Sequence, residues 1–178
     1  MAYVAGQLSK MLSRRLGIME QSNVFVDSEK RRMLGFGEND FVIDVEQGKY
    51  GISFGNNFLY TDGLSSCCGV VVIQGNNSIL FHLDDFSDVE KVVKITEYYG
   101  LTKDSTVLIC PGPDCHSHGQ FKYAELEEKY RELGLDIKYH IFKLNGYIKV
   151  SGDVVEVGSI GCAELVKTYQ FGTKKVFF

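Results

Sequence analysis

The stretch Cys67-Cys68-Gly69-Val70-Val71-Val72-Ile73-Gln74-Gly75-Asn76-Asn77-Ser78-Ile79-Leu80-Phe81-His82-Leu83 decides how this chain folds. Two β-rich runs, 67–73 and 78–83, flank Gln74-Gly75-Asn76-Asn77. Gly and Asn tolerate positive φ, so this is the signature of a β-hairpin. With a two-residue loop at Gly75-Asn76, or a four-residue loop at 74–77, residues i and 151 − i lie opposite each other. Cys67 then faces Asp84 and Gly69 faces His82. Cys67 and His82 become diagonal neighbours on one sheet face, about 7–8 Å apart at the backbone. A three-residue loop would put Cys68 beside His82 instead, because a one-residue slip turns every side chain to the other face. Periodicity alone leaves both cysteines open.

Downstream, Ser87 precedes Asp88-Val89-Glu90 and reads as an N-cap with acidic first-turn residues. Val89, Val92, Val93 and Tyr99 form the apolar face of that helix, with the Tyr98-Tyr99 pair on its packing side, and Gly100 stops it. Thr106–Ile109 reads as a buried strand entering the loop Pro111-Gly112-Pro113. A second helix spans about 122–133 and ends at Gly134. Ile137–Leu144 and Tyr147–Val150 predict another hairpin across Asn145-Gly146, and 154–157 and 162–178 are strand-like or mixed. Upstream, Phe41–Val45 and Tyr50–Phe54 alternate as strands joined around Gln47-Gly48, followed by the turn Gly55-Asn56-Asn57 and a short strand at Phe58–Tyr60. In residues 1–34, Leu8, Met11, Leu12, Leu16 and Met19 recur at helical spacing. The basic run Lys30-Arg31-Arg32 then reads as a solvated loop leading into Gly35-Phe36-Gly37. Strands outnumber helices and several connections are too short for a crossover, so the fold class is α+β with mixed or antiparallel sheets.

The 178 residues suit one domain, 1–178, with 1–34 as an N-terminal helical extension. At 44% hydrophobic and 24% charged, the composition is that of an ordinary globular chain. Nineteen Lys+Arg against 23 Asp+Glu give a net charge of −4. That balance argues against nucleic acid or an anionic membrane as a partner, because no cation excess would neutralise phosphates. No apolar run reaches membrane-spanning length, so membrane insertion is not expected. Met1–Leu16 lacks the apolar core of a signal peptide, so the expectation is a protein made in the cytoplasm, with any export or delivery into a host cell leaderless. The five cysteines are odd in number and unevenly spaced, which favours reduced thiols over a disulfide framework.

Chemistry concentrates in Thr61-Asp62-Gly63-Leu64-Ser65-Ser66-Cys67-Cys68 and the hairpin carrying His82. The thiolate is the nucleophilic form of cysteine, and a neighbouring imidazolium lowers the thiol's pKa. Such a histidine then protonates the leaving group. Asp84 shares the face of His82, whereas Phe81 and Leu83 point the other way. Small residues before the cysteine let a substrate approach the backbone, whose N–H groups can hold an oxyanion. Against this stands the ordinary role of a strand cysteine as core filler, the reading that suits Cys162. A rival constellation, Cys110, Cys115, His116 and His118, offers four zinc-competent ligands, but its Cys-x4-Cys-His-x-His order is not a usual finger spacing. A substrate-facing loop suits that segment better.

Leu64-Ser65-Ser66-Cys67 followed by Gly69-Val70-Val71-Val72 resembles the Leu-Ser-Gly-Cys signature of bacterial deamidase toxins, the cytotoxic necrotizing factor catalytic domain and the Burkholderia lethal factor. In those proteins a histidine follows the cysteine by a hairpin; here the gap is 82 − 67 = 15 residues. Chemoreceptor glutamine deamidases are similar at this point. In them and in the lethal factor a threonine lies six residues before the cysteine, and 67 − 6 = 61 is Thr61. The likeness covers 61–83. Ser66 stands where the toxins have glycine, and His82 lacks the chemoreceptor family's Asn-His-Phe context. The resemblance implies a β-sandwich-like core of mixed, largely antiparallel sheets with peripheral helices. It also implies a cysteine-dependent protein-glutamine deamidase with Cys67 as nucleophile, His82 as base and acid, and Thr61 orienting the imidazole. Ser65 and Ser66 would lie on the substrate and oxyanion side, and no metal or organic cofactor is required. The implied partner is a target protein with a reactive glutamine, such as a host GTPase or a translation factor, and the protein would be a bacterial effector or toxin. The alternatives are a chemoreceptor-type housekeeping deamidase and a non-enzymatic zinc-binding or adaptor module. An amine resolving the thioester would make the same site a transglutaminase.

Overall fold

A computed structural model describes residues 19–115 and 122–171 of the chain. The amphipathic helix expected around Leu8–Leu16, together with His116 and His118, lies outside the described residues. Among those described, twelve strands form two six-stranded sheets. The first has the order β1 (Glu20–Gln21), β4 (Lys49–Phe54), β7 (Asn77–Leu83), β6 (Cys68–Gln74), β8 (Thr106–Pro111), β9 (Asp136–Tyr139). The second runs β12 (Cys162–Gln170), β11 (Val154–Ser159), β10 (Gly146–Ser151), β5 (Phe58–Leu64), β3 (Val42–Asp44), β2 (Val24–Phe25). The long central pairings are antiparallel, and the parallel pairs β1–β4, β8–β9 and β3–β5 lie at or next to sheet edges.

The β6–β7 hairpin sets the layering. Gln74 pairs with Asn77 and Gly69 with His82, so opposite residues sum to 151 and the loop is Gly75-Asn76. Gly75 takes φ +59, and a positive φ at the first loop position gives a turn whose twist matches the strands. Alternation then splits the hairpin between two cores. Cys68, Val70, Val72, Phe81 and Leu83 point outward, where α2 (Val89–Tyr98) and α3 (Tyr123–Glu132) cover them with Val92, Val93, Leu126 and Tyr130. Val71 and Leu80 point inward, against Leu59, Leu64, Ile148 and Val157 of the second sheet. Each such buried aliphatic side chain contributes about 1.5–3 kcal/mol. The far face of the second sheet is closed by Val26, Leu34 and Phe36 around α1 (Ser28–Met33), packed on Val42 and Tyr60. The protein is therefore α+β, with a sandwich of mixed sheets and helices on the outside. No helix among the described residues is long and apolar enough to cross a membrane.

Several local expectations are corrected. The N-cap of α2 is Asp88, which accepts from the Lys91 N–H at 3.3 Å; Ser87 instead donates to Asp84 Oδ1 at 2.9 Å. The second predicted hairpin does not form. β9 joins the first sheet parallel to β8, whereas β10 joins the second sheet beside β5 and β11. Phe142 is buried in the core between the sheets, and a Cβ on Gly146 would sit 2.5 Å from its ring. Local turn chemistry at Asn145-Gly146 is thus overruled by packing, and β10 turns back into β11 across Gly152-Asp153. Lys30-Arg31-Arg32 lie on α1 rather than in a solvated loop, because Asp27 caps that helix and Lys30 reaches Asp44 at 2.8 Å. Tyr99 packs on the core, but Tyr98 points to solvent. Cys162 is half-buried, not core filler.

Candidate active site

The inward face of the first sheet meets the second sheet at the end where β5 stops and β6 begins. Thr61 is on β5 and fully buried, and its Oγ1 lies 2.7 Å from His82 Nδ1 and 2.7 Å from the Val45 carbonyl. A carbonyl only accepts, so the single hydroxyl proton of Thr61 goes to Val45. The contact with His82 must then be Nδ1–H donating to Oγ1. This fixes the tautomer of the neutral ring and leaves Nε2 as its basic nitrogen. Gly69 opposes His82 on the ladder, and a Cβ there would sit 2.3 Å from Ile148 Cδ1. Glycine lets the second sheet approach closely beside the imidazole.

Cys67 sits in the turn just before β6, packed with the inward core and 4% exposed; His82 is 5% exposed. The ladder ends at the Cys68–Leu83 pair, so Cys67 lies one residue before β6 and packs in the inward core, on the side that His82 faces, while Cys68 faces the helices. Burial, followed by the charge of Asp84, pushes the Cys67 thiol from its ordinary 9.0 up to about 11, and a hydrogen bond from the Ser66 side chain acts the other way. The expectation that an imidazolium lowers this thiol is therefore not met at rest: at neutral pH Cys67 carries its proton.

The turn holding Cys67 is stapled to the loop after β8. Gly112 N–H donates to the Cys67 carbonyl at 2.9 Å and Asp114 N–H to the Ser65 carbonyl at 3.0 Å. Ser65 Oγ donates to Asp114 Oδ2 at 2.8 Å, and Ser65 N–H to the Gly63 carbonyl at 2.9 Å. A Cβ on Gly112 would lie 2.2 Å from the Ser65 carbonyl, so only glycine permits this approach. Ser65 thus shapes the turn with all three of its polar groups, whereas Ser66 addresses the sulfur.

Asp84, 3% exposed, follows the Cys68–Leu83 pair that ends the ladder, as Cys67 precedes it, and its charge acts on the thiol. Its Oδ1 accepts from Ser87 Oγ at 2.9 Å and Phe86 N–H at 3.2 Å, and its Oδ2 from Gln47 Nε2 at 3.4 Å. Sequence reasoning placed Asp84 on this face but missed the Val45 carbonyl, the Gln47 donor and the Asp114 staple. All three come from segments remote in sequence, and only Gly112 within Pro111-Gly112-Pro113 hinted at a close backbone approach. The rival constellation is divided: Cys110 lies in the inward core and Cys115 in the helix-side core. Among the described residues no group of three His, Cys, Asp or Glu is placed to hold a metal ion. All five cysteines are free thiols. No family model matches this chain, and no curated protein matches it.

Proposed function

We propose that this protein is a cysteine-dependent protein-glutamine deamidase, hydrolysing a glutamine side chain of a target protein to glutamate with release of ammonia. The observation that supports this most is the Thr61 Oγ1–His82 Nδ1 contact of 2.7 Å. It orients the imidazole and fixes its tautomer on the sheet face that Cys67 shares, which is the logic of a nucleophile, a base and an orienting third group. The toxin-like run Leu64–Cys67 supports a bacterial effector acting on a host protein, and a housekeeping deamidase would use the same chemistry.

Because the resting thiol is protonated, His82 acts as a general base during attack rather than as half of a standing ion pair. The Cys67 sulfur bonds to the amide carbon as its proton moves to Nε2. The carbon–nitrogen bond breaks as Nε2–H protonates the departing nitrogen, and ammonia leaves a thioester. Water then attacks the thioester carbonyl and gives a proton to Nε2. The carbon–sulfur bond breaks, the sulfur recovers a proton from Nε2–H, and the glutamic acid formed ionises to its carboxylate, the proton passing to the released ammonia. The target gains one negative charge, enough to disable a switch protein.

The test is to incubate candidate targets, small GTPases and translation factors among them, with wild type and Cys67→Ser. Ammonia is measured, and peptides are mapped by mass spectrometry for conversion of glutamine to glutamate. Conversion by wild type alone is the expected result. Equal conversion by both proteins, or none with any target alongside no ammonia, overturns the reading.

A further inference from the structure

Close to Cys67 lies a buried charge that the proposed chemistry does not use. Asp84 is tethered by donors from three residues, Gln47, Phe86 and Ser87, so the turn after β7 is built around its carboxylate. Burying a carboxylate is costly unless its lone pairs are filled, and here both oxygens are served. The formal charges that bear on Cys67 have one sign: Asp84 and, more weakly, Asp85, beside the thiols of Cys115 and Cys68. Lys49, which pairs with His82 across the β4–β7 ladder, is held by Glu46 at 2.6 Å. Nothing in this arrangement welcomes an anion.

A glutamine side chain and the glutamate it becomes share a shape and differ in charge. We propose that Asp84 is a specificity-determining residue: it makes the surroundings of Cys67 accept a neutral carboxamide and expel the carboxylate that hydrolysis leaves behind. Its biological meaning rests on the deamidase reading, but charge selection at Cys67 can be measured without it. An anion beside a buried carboxylate is opposed far more strongly than one at a water-exposed surface. The product therefore leaves rather than blocking the sulfur, and acidic side chains that flank the target glutamine do not compete for the nucleophile.

Iodoacetamide and iodoacetate test this directly, because they differ as the substrate and product do. In each case the thiolate displaces iodide, a sulfur–carbon bond forms, and the thiol proton passes to solvent. The full chain is treated with each reagent at one alkaline pH, and alkylation of Cys67 and of half-buried Cys162 is followed peptide by peptide. In wild type the amide-to-acid rate ratio should be higher at Cys67 than at Cys162 by on the order of tenfold. Asp84→Asn should bring the Cys67 ratio down to that of Cys162, and Asp84→Glu should keep it raised. Equal ratios at the two cysteines of wild type overturn the proposal without any variant. So does an unchanged ratio in an Asp84→Asn protein with intact circular dichroism, or failure of both reagents to reach Cys67. If the ratios behave as expected but no glutamine is converted, the deamidase reading falls and charge selection stands. Conversion of glutamine with equal ratios removes only the role of Asp84.

Discussion

The two faces of the β6–β7 hairpin share one backbone and have opposite characters. Outward, Cys68, Val70, Val72 and Phe81 meet only helix and sheet side chains of the apolar core. Cys68 is wholly buried, its thiol lies 3.7 Å from the Gly69 carbonyl, and burial holds it well above its ordinary pKa. Inward, Gly69 and His82 alternate with Val71 and Leu80, and the second sheet brings Thr61 and the Val45 carbonyl to the ring. One residue along the chain thus separates a thiol packed under the helices from one packed between the sheets and acted on by Asp84. The lesson is that the character of each face comes from what the opposing layer supplies, not from the strand itself.

The sharpest way to break this comparison is to exchange the roles of the paired cysteines. Cys67→Ala should lower glutamine conversion by on the order of a thousandfold or more, at a stability cost of about 1 kcal/mol because its side chain is also buried. Cys68→Ala should leave conversion within about threefold yet cost about 1 kcal/mol in urea denaturation, through a small cavity under the helices. Loss of activity in the Cys68 variant alone would assign the chemistry to the other face.

Next in size is the hydroxyl that crosses between sheets. Thr61→Val keeps the volume but removes the acceptor for Nδ1–H and the donor to Val45. Conversion should fall about a hundredfold through misplacement of the ring. The orphaned polar groups should cost about 1–3 kcal/mol. Thr61→Ser should restore both, and a pH–rate profile that shifts in Thr61→Val separates lost orientation from simple destabilisation.

This division explains what was legible in the chain. The hairpin follows from local rules, since Gly and Asn within 74–77 set a turn, but the loop length and with it the face assignment were open until the register fixed them. His82 and the Cys67-Cys68 pair could be named from that hairpin, whereas Thr61 and the choice of Cys67 over Cys68 came only from the resemblance to the deamidases. The 137–150 hairpin failed because strand propensity does not say which sheet a strand joins; Phe142 wedged against Gly146 decides that, and the wedge is a tertiary contact. Asp88 displaced Ser87 as cap for a related reason: Ser87 was recruited by Asp84, a partner three residues back. The thiol's raised pKa was also out of reach, because it depends on how deeply Cys67 is covered and on a carboxylate beyond the end of the partner strand.

Gly69 measures how tightly the two layers must meet. Gly69→Ala places a Cβ 2.3 Å from Ile148 Cδ1 and 3.0 Å from Leu64 Cδ1. Overpacking of this kind should cost about 1–3 kcal/mol in thermal or denaturant unfolding. Ile148→Val in the same chain should recover part of it, whereas a fully tolerated alanine would mean that the sheets slide apart freely and that the contact with Thr61 is not enforced by packing.

The smallest effect concerns the proton on Cys67. Its folded-state value of about 11 exceeds the ordinary 9.0, so the folded protein holds this proton more tightly than the unfolded chain. The associated stability is fully present below pH 9.0, declines as pH rises, and is lost through about 11. Unfolding free energy measured across that window should therefore fall less steeply in Cys67→Ala than in wild type. Iodoacetamide labelling of Cys67 in the native protein should rise with a midpoint near 11. Ser66→Ala should move that midpoint further alkaline, because it removes the hydroxyl that stabilises the sulfur anion, and Asp84→Asn should move it the opposite way. A labelling profile that ignores both substitutions would mean that burial alone governs the thiol. The two faces of the hairpin would then differ in access but not in electrostatics.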